Sequence, residues 1–183
     1  MKYAKVRDVK SPCRGTKKSA GIDFFVPNYS EEFVDKLINP FREDSSKIKE
    51  LIELNKRFIK SINENGFILE SLGRVFIPSG IKVLVPEGCD LVAHNKGGVA
   101  TKHGLIYGAH VVDEDYEGEV FLSIINASPD PVSIQFGQKI LQLAIRNVNY
   151  ESPEEVDEPS LQSIFSLREG QRKDGAIGST GIC

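Results

Sequence analysis

Along most of the chain, apolar and β-branched residues come in short runs cut by turn residues, the pattern of strands. The run "RVFIPSGIKVLVP" (74–86) predicts two short strands on either side of a Pro-Ser-Gly turn. "EVFLSIINAS" (119–128) predicts another strand, ended by "SPDP". "VSIQFGQKILQLAI" (132–145) continues the pattern, with Gly137 at a turn or bulge. In "GAHVVDEDYEGEV" (108–120), Asp113, Glu114, Asp115 and Tyr116 stand between two strand-like runs, and by themselves they read as a solvated hairpin. Many short strands with turns between them predict a sandwich, jelly roll or barrel.

One segment follows a different period. From about residue 30 to 65 the composition turns to Glu, Lys, Leu and Ile. Ile48, Leu51, Ile52, Phe58, Ile59 and Ile62 keep helical spacing, interrupted at Asn55. Ser30 predicts an N-cap with acids in the first turn, and Pro40 a break between two helices. The plain reading is a helical hairpin packed on the β core.

After Val148 the stretch "NYESPEEVDEPS" predicts an acidic linker, dividing a domain of residues 1–148 from an arm of residues 149–183. The arm ends "REGQRKDGAIGSTGIC", without an apolar period, and is expected to be mobile when no ligand is bound. Its closely spaced backbone N–H groups and two hydroxyls suit phosphate oxygens.

Composition narrows the class. With 183 residues, 40% hydrophobic and 27% charged, the chain has room for one ordinary globular core. A net charge of -3 excludes a basic nucleic-acid-coating surface. The three cysteines lie far apart, which fits reduced thiols rather than a disulfide framework or zinc site. No apolar run reaches membrane-spanning length, and the start carries no leader-like apolar stretch, so a cytoplasmic protein without membrane or nucleic-acid partners is expected.

Five pieces then occur in one order: "AGIDFFV" (20–26), "NKGGVATKHGL" (95–105), "GAHVVDEDYEGEV" (108–120), "GQKILQL" (137–143) and "RKDGAIGSTG" (172–181). Together they resemble the trimeric dUTPase family over nearly the whole chain except an insertion at about residues 30–72. The resemblance implies an all-β jelly roll or distorted β-barrel, here with a helical insertion (about 30–65) and a mobile C-terminal arm. It also implies a homotrimer with sites shared between subunits, Mg²⁺, and hydrolysis of dUTP to dUMP and pyrophosphate. Asp113 then falls on the carboxylate that activates water, and Gln142 on the glutamine that holds a phosphate oxygen or that water. Tyr116 matches the aromatic under the deoxyribose, and Asp23 a carboxylate that supports the metal indirectly, through water, or the site's architecture. Arg172, Ser179 and Thr180 match phosphate contacts of the arm. Without the resemblance, Asp23 reads equally as a turn residue and Gln142 as a solvent-facing strand residue.

The pattern breaks at ligand-contacting positions. Where the family usually has Pro-Arg-Ser-Gly-Leu, the chain has Asn95, Lys96, Gly97, Gly98 and Val99, so the fork of an arginine and one hydroxyl are missing. His110 stands where a glycine is usual, three residues after Tyr107, and either reads a base edge or points away. Ile177 replaces the aromatic that would stack on the base. These departures keep two alternatives open: the same chemistry on another or base-modified deoxynucleoside triphosphate, as in viral nucleotide metabolism, or a low-activity nucleotide- or partner-binding member. In the second, the insertion is a candidate protein interface.

Overall fold

A computed structural model of the chain describes residues 1–40 and 46–167, with the backbone alone for 46–48 and 51. The chain runs through β1 (Lys2–Lys5), β2 (Cys13–Arg14), β3 (Ile22–Phe25), α1 (Glu31–Ile38) and α2 (Ser46–Phe58). Next come β4 (Ile59–Asn63), β5 (Gly66–Leu69), β6 (Arg74–Leu84), β7 (Cys89–Asn95) and α3 (Gly97–His103). Then follow β8 (Leu105–Tyr107), β9 (Val111–Val112), β10 (Glu119–Asn126), β11 (Val132–Gln135), β12 (Lys139–Asn147) and α4 (Glu158–Ser166). The strands form three antiparallel sheets, ordered β1-β6-β10-β8, β11-β5-β4 and β2-β3-β12-β7-β9. Alternation along each strand turns Phe24, Phe67, Ile77, Leu91, Leu122 and Ile140 into one core cluster. The mainly β architecture expected from the sequence is the one the chain adopts.

Three local expectations are corrected. Pro78, Ser79 and Gly80 do not turn the chain, because all three lie within β6. The ladder to β10 shifts register between Glu119 and Phe121, with Glu119 opposite Lys82 and Phe121 opposite Pro78, so the extra residues form a bulge. Gly80 takes φ +73 there, and a Cβ would lie 2.9 Å from Val9 Cγ1, so both backbone shape and space require glycine. Turn and bulge share the same local signal, and only the partner strand distinguishes them. The acidic stretch at 113–118 is likewise not a hairpin. β9 pairs with β7, while β10 pairs with β6 and β8, so the loop crosses from one sheet to another. Lastly, Ile59 and Ile62 belong to β4, and helix α2 ends at Phe58.

The bulge exposes a backbone donor to a buried acid. Gly80 N donates to Glu119 Oε1 at 2.7 Å. Arg7 Nε donates to the same oxygen at 3.0 Å, and Lys36 Nζ reaches Oε2 at 2.9 Å. The Glu119 side chain is only 5% exposed, so two cations and an amide compensate a charge that water cannot reach. Burial alone would push its carboxyl up. The hydrogen bonds from Arg7, Lys36 and Gly80 outweigh that and hold it below the ordinary range.

The insertion does form two helices, and α1 is built as expected. Ser30 Oγ accepts from Phe33 N at 3.1 Å, satisfying an end donor. Phe33 and Leu37 are fully buried, worth about 1.5–3 kcal/mol each. The Phe33 ring meets Phe136 edge-on at 5.6 Å, tying the helix to the turn before β12. Asn55, which breaks the apolar stripe of α2, is buried and donates to Leu37 O at 3.3 Å. The break in the pattern is therefore an inter-helix hydrogen bond.

By its internal contacts the chain divides into Met1–Val148 and Asn149–Cys183. Within the second unit, the end of the expected linker becomes α4, where Asp157 Oδ1 accepts from Ser160 N at 2.8 Å and Pro159 sits in the first turn. Leu161, Ile164 and Phe165 repeat at helical spacing and remain part-exposed, so the helix signal was present in the sequence. Among the described residues, no helix is long and apolar enough to cross a membrane.

Glu119→Gln should cost about 3–5 kcal/mol at neutral pH, because Arg7 and Lys36 are left without a buried counter-charge. The carboxylate's contribution is complete above the ordinary glutamate value, about pH 4.3, and is lost as pH falls through its lower folded value. Urea unfolding across pH 3–7 checks this. The wild type should lose stability on acidification more steeply than Glu119→Gln.

Candidate functional site

Three segments distant in sequence meet at one end of the five-stranded sheet. Register places Gln142 of β12 beside Asp23 on one side and His94 on the other. Asp23 is buried, yet its two oxygens face cations: Lys96 Nζ lies 2.8 Å from Oδ1, and Lys139 Nζ 3.0 Å from Oδ2. Burial would raise the carboxyl's pKa, but the hydrogen bonds from Lys96 and Lys139 prevail and lower it. Asp23 in turn raises that of Lys139. Two lysines on one carboxylate leave a net positive end to the sheet. Lys139 was not among the sequence candidates, although it lies inside "GQKILQL". A lysine in a strand carries no signal of its own until the fold brings it to a buried acid.

Gln142 is fixed by two neighbours. Its Nε2 donates to Asn95 O at 2.8 Å. A Cβ on Gly21 would lie 2.2 Å from its Oε1 and 2.8 Å from its Cδ, so the glycine leaves the amide its place. Asn95 Oδ1 also accepts from Tyr107 N at 2.8 Å, which joins the start of α3 to β8. Asn95 is thus a second structural partner that motif reading passed over. Lys96 caps α3 in extended conformation, without a side-chain capping bond. Gly97 and Gly98 are exposed, and a Cβ on either would meet nothing within 4 Å. No packing constraint explains the missing hydroxyl at Gly97.

Tyr107 and His110 also come together, their rings 5.6 Å apart and tilted by 47°. His110 O accepts from Ala93 N at 2.7 Å, and the exposed side chain stands beside β7. Asp113 and Tyr116 lie elsewhere. Val111 pairs with Val92 and Val112 with Leu91, so the chain passes Asp113 toward the opposite end of β7, where Gly88 N donates to Glu114 Oε2 at 2.8 Å. The seven residues of β7 separate that end from Lys96, about 23 Å of extended chain. Asp113 is exposed and its carbonyl accepts from Tyr116 N at 3.2 Å. The Tyr116 hydroxyl donates to Glu119 O at 2.9 Å, and the residue is 40% exposed. Burial first, and the nearby Glu119 second, raise its phenol's pKa. Arg172, Ile177, Ser179 and Thr180 lie outside the described residues.

Among the described residues no group of three or more His, Cys, Asp or Glu side chains could hold a metal ion. Asp23, the acid assigned an indirect metal role, has both oxygens engaged by lysines. The donor set does not fit a divalent ion held by protein groups alone.

The dUTPase family model matches residues 63–181. The chain belongs to the dUTPase family. It is 34% identical over 115 residues to the deoxyuridine 5'-triphosphate nucleotidohydrolase of Candida glabrata, covering 63% of this chain and 75% of that one. Among solved structures, it is similar to the dUTPase of Staphylococcus bacteriophage 80alpha with dUpNHpp, at TM-score 0.63 and 16% identity, over 99% of this chain and 98% of that chain. It also matches the dUTPase of phage phi11 of S. aureus, described with a structural Mg(II) ion, at TM-score 0.60 and 17% identity, over 86% and 96% of the two chains. The structural likenesses bear on the fold, and the motif order read from the sequence agrees with the family.

If Gly21 is small to leave room for Gln142, Gly21→Ala should cost about 1–3 kcal/mol by overpacking. In a Gln142→Ala background the same change should cost little. Urea unfolding of the four proteins in this cycle reads the coupling directly.

Proposed function

We propose that the protein hydrolyses dUTP to dUMP and pyrophosphate. The observation that carries this reading is the lysine pair held on buried Asp23, a net positive end of the sheet that suits a triphosphate, in a chain of the dUTPase family. Lys96 and Lys139 offset phosphate charge, and Gln142, fixed by Asn95 and Gly21, orients a phosphate oxygen or the attacking water. The Asp113 carboxylate accepts a proton from water as its oxygen bonds to phosphorus. The bridging bond between the α- and β-phosphates breaks, and pyrophosphate leaves. The exposed Tyr116 ring lies under the deoxyribose. Arg172, Ser179 and Thr180 are further candidate phosphate contacts. A Mg²⁺ ion, if present, would be carried by the triphosphate rather than held by protein groups, and would offset part of the phosphate charge.

The same geometry favours a site shared between copies, and the family resemblance makes the assembly a homotrimer. Asp113 stands at one end of β7 and Lys96 at the other, too far apart to act on one nucleotide from a single chain. A neighbouring copy that presents its Asp113 loop to the lysine end completes the site. On this reading residues 1–148 are the catalytic domain and 149–183 the arm. The free thiols of Cys13 and Cys89 support a cytoplasmic setting. A second reading keeps the chemistry and changes the base. The Tyr107–His110 ring pair places a polar aromatic edge beside β7, which suits another base or a base-modified deoxynucleoside triphosphate.

Pyrophosphate release from a panel of deoxynucleoside triphosphates, including dUTP and 5-substituted analogues, tests both readings. dUTP turnover should depend on Mg²⁺ and fall by about 10³-fold or more in Asp113→Asn. Preference for a substituted base would favour the second reading, and no turnover of any nucleotide would overturn both.

A further inference from the structure

Helix α1 lies outside residues 63–181, the part matched by the family model, yet its Lys36 reaches Glu119, the residue of β10 that directly follows the loop carrying Asp113 and Tyr116. Lys36, one-third exposed, spans from α1 to Glu119 Oε2 at 2.9 Å, with its ammonium 5.6 Å from the centre of the Phe121 ring. Arg7 holds Glu119 through Nε and reaches Glu32 of α1 through Nη1 at 2.9 Å. The acid is therefore clamped between the N-terminal segment, the bulge of β6 and the helical insertion. The residue so clamped accepts, at its own carbonyl, the hydroxyl of Tyr116. A Cβ on Gly118 would lie 2.3 Å from that hydroxyl, so the ring folds tightly over the loop backbone and has little freedom of its own.

We propose that Lys36 is a positioning residue of the nucleotide site, setting the place of Tyr116 through Glu119. Buried charges compensated from several directions hold one geometry, because displacing any partner leaves another uncompensated. Removing the Lys36 ammonium leaves Glu119 Oε2 to the longer bond from Arg7 Nη2, at 3.3 Å, and the start of β10 relaxes toward Arg7. The Tyr116 hydroxyl follows the carbonyl it binds. The consequence for catalysis rests on the dUTP reading above. The consequence for Tyr116 position does not.

The test uses the full-length protein with ring-labelled tyrosine. The chain has five tyrosines and no tryptophan, so Tyr116→Phe identifies the Tyr116 signal by its loss. In Lys36→Met, which keeps an unbranched stem without the charge, the Tyr116 ring signal should move while the other four hold. Lys36→Arg should restore it. Lys56→Met, which breaks the exposed pair with Glu53 on α2, should leave it in place. In the same variants KM for dUTP should rise on the order of fivefold in Lys36→Met, with kcat within about twofold, and return in Lys36→Arg. Should Lys36→Met not fold, Lys36→Gln removes the same charge and is read identically. An unmoved Tyr116 signal in a folded charge-removing variant overturns the proposal, as does an unchanged KM in an active one. If the wild type does not hydrolyse dUTP, the functional reading falls alone, and the tyrosine signal still decides the positioning role.

Discussion

A carboxylate with almost no access to water must be answered by charge from the protein, and Glu119 is answered from three directions. Arg7 arrives from the N-terminal segment, Lys36 from the insertion and Gly80 N from a bulge in the neighbouring strand. Each depends on a separate feature of the sequence. The bulge needs glycine at φ +73, and Lys36 needs α1 seated by Phe33 and Leu37. Arg7 needs the segment after β1 to follow β6, which Val6 N secures by donating to Gly80 O at 2.8 Å. One buried acid thereby makes the insertion and the β domain a single packing problem.

A second buried acid organises the five-stranded sheet by the same physics. Asp23 gathers Lys96 and Lys139, drawing segments more than seventy residues apart onto one end of the five-stranded sheet. The difference is exposure. Lys139 is 43% and Lys96 30% open on the side chain, so this cluster meets solvent, whereas the Arg7 side chain is 9% exposed. A half-exposed excess of positive charge suits an incoming polyphosphate, and an enclosed one suits a joint. Sheet register then keeps the lysine end and the Asp113 loop at opposite ends of β7.

Much of this was legible in the sequence, for identifiable reasons. Strand runs such as 119–126 and the Ser30 cap were readable because alternation and capping are local. Asp23, Lys96 and Gln142 stood out through motif order, and the fold does bring these three together. What stayed hidden depends on partners. Pro78 to Gly80 looks alike as a turn or a bulge until β10 is placed beside it. Ile59 and Ile62 continue a helical period, but pairing with β5 takes them into a strand. Asn55 looked like a flaw in an apolar stripe, and only the packed helix pair reveals the carbonyl it satisfies. Asn95 and Lys139 acquire roles solely through neighbours remote in sequence.

On the proposed function, a working site needs the lysine end of one copy and the Asp113 loop of another. Subunit mixing tests it most directly. Asp113→Asn and Lys96→Met proteins, each inactive alone, are unfolded together, refolded and assayed for pyrophosphate release from dUTP. Activity should return on mixing, because mixed assemblies contain sites in which both residues are intact. Continued inactivity, with mixed assemblies demonstrated by mass, would contradict it.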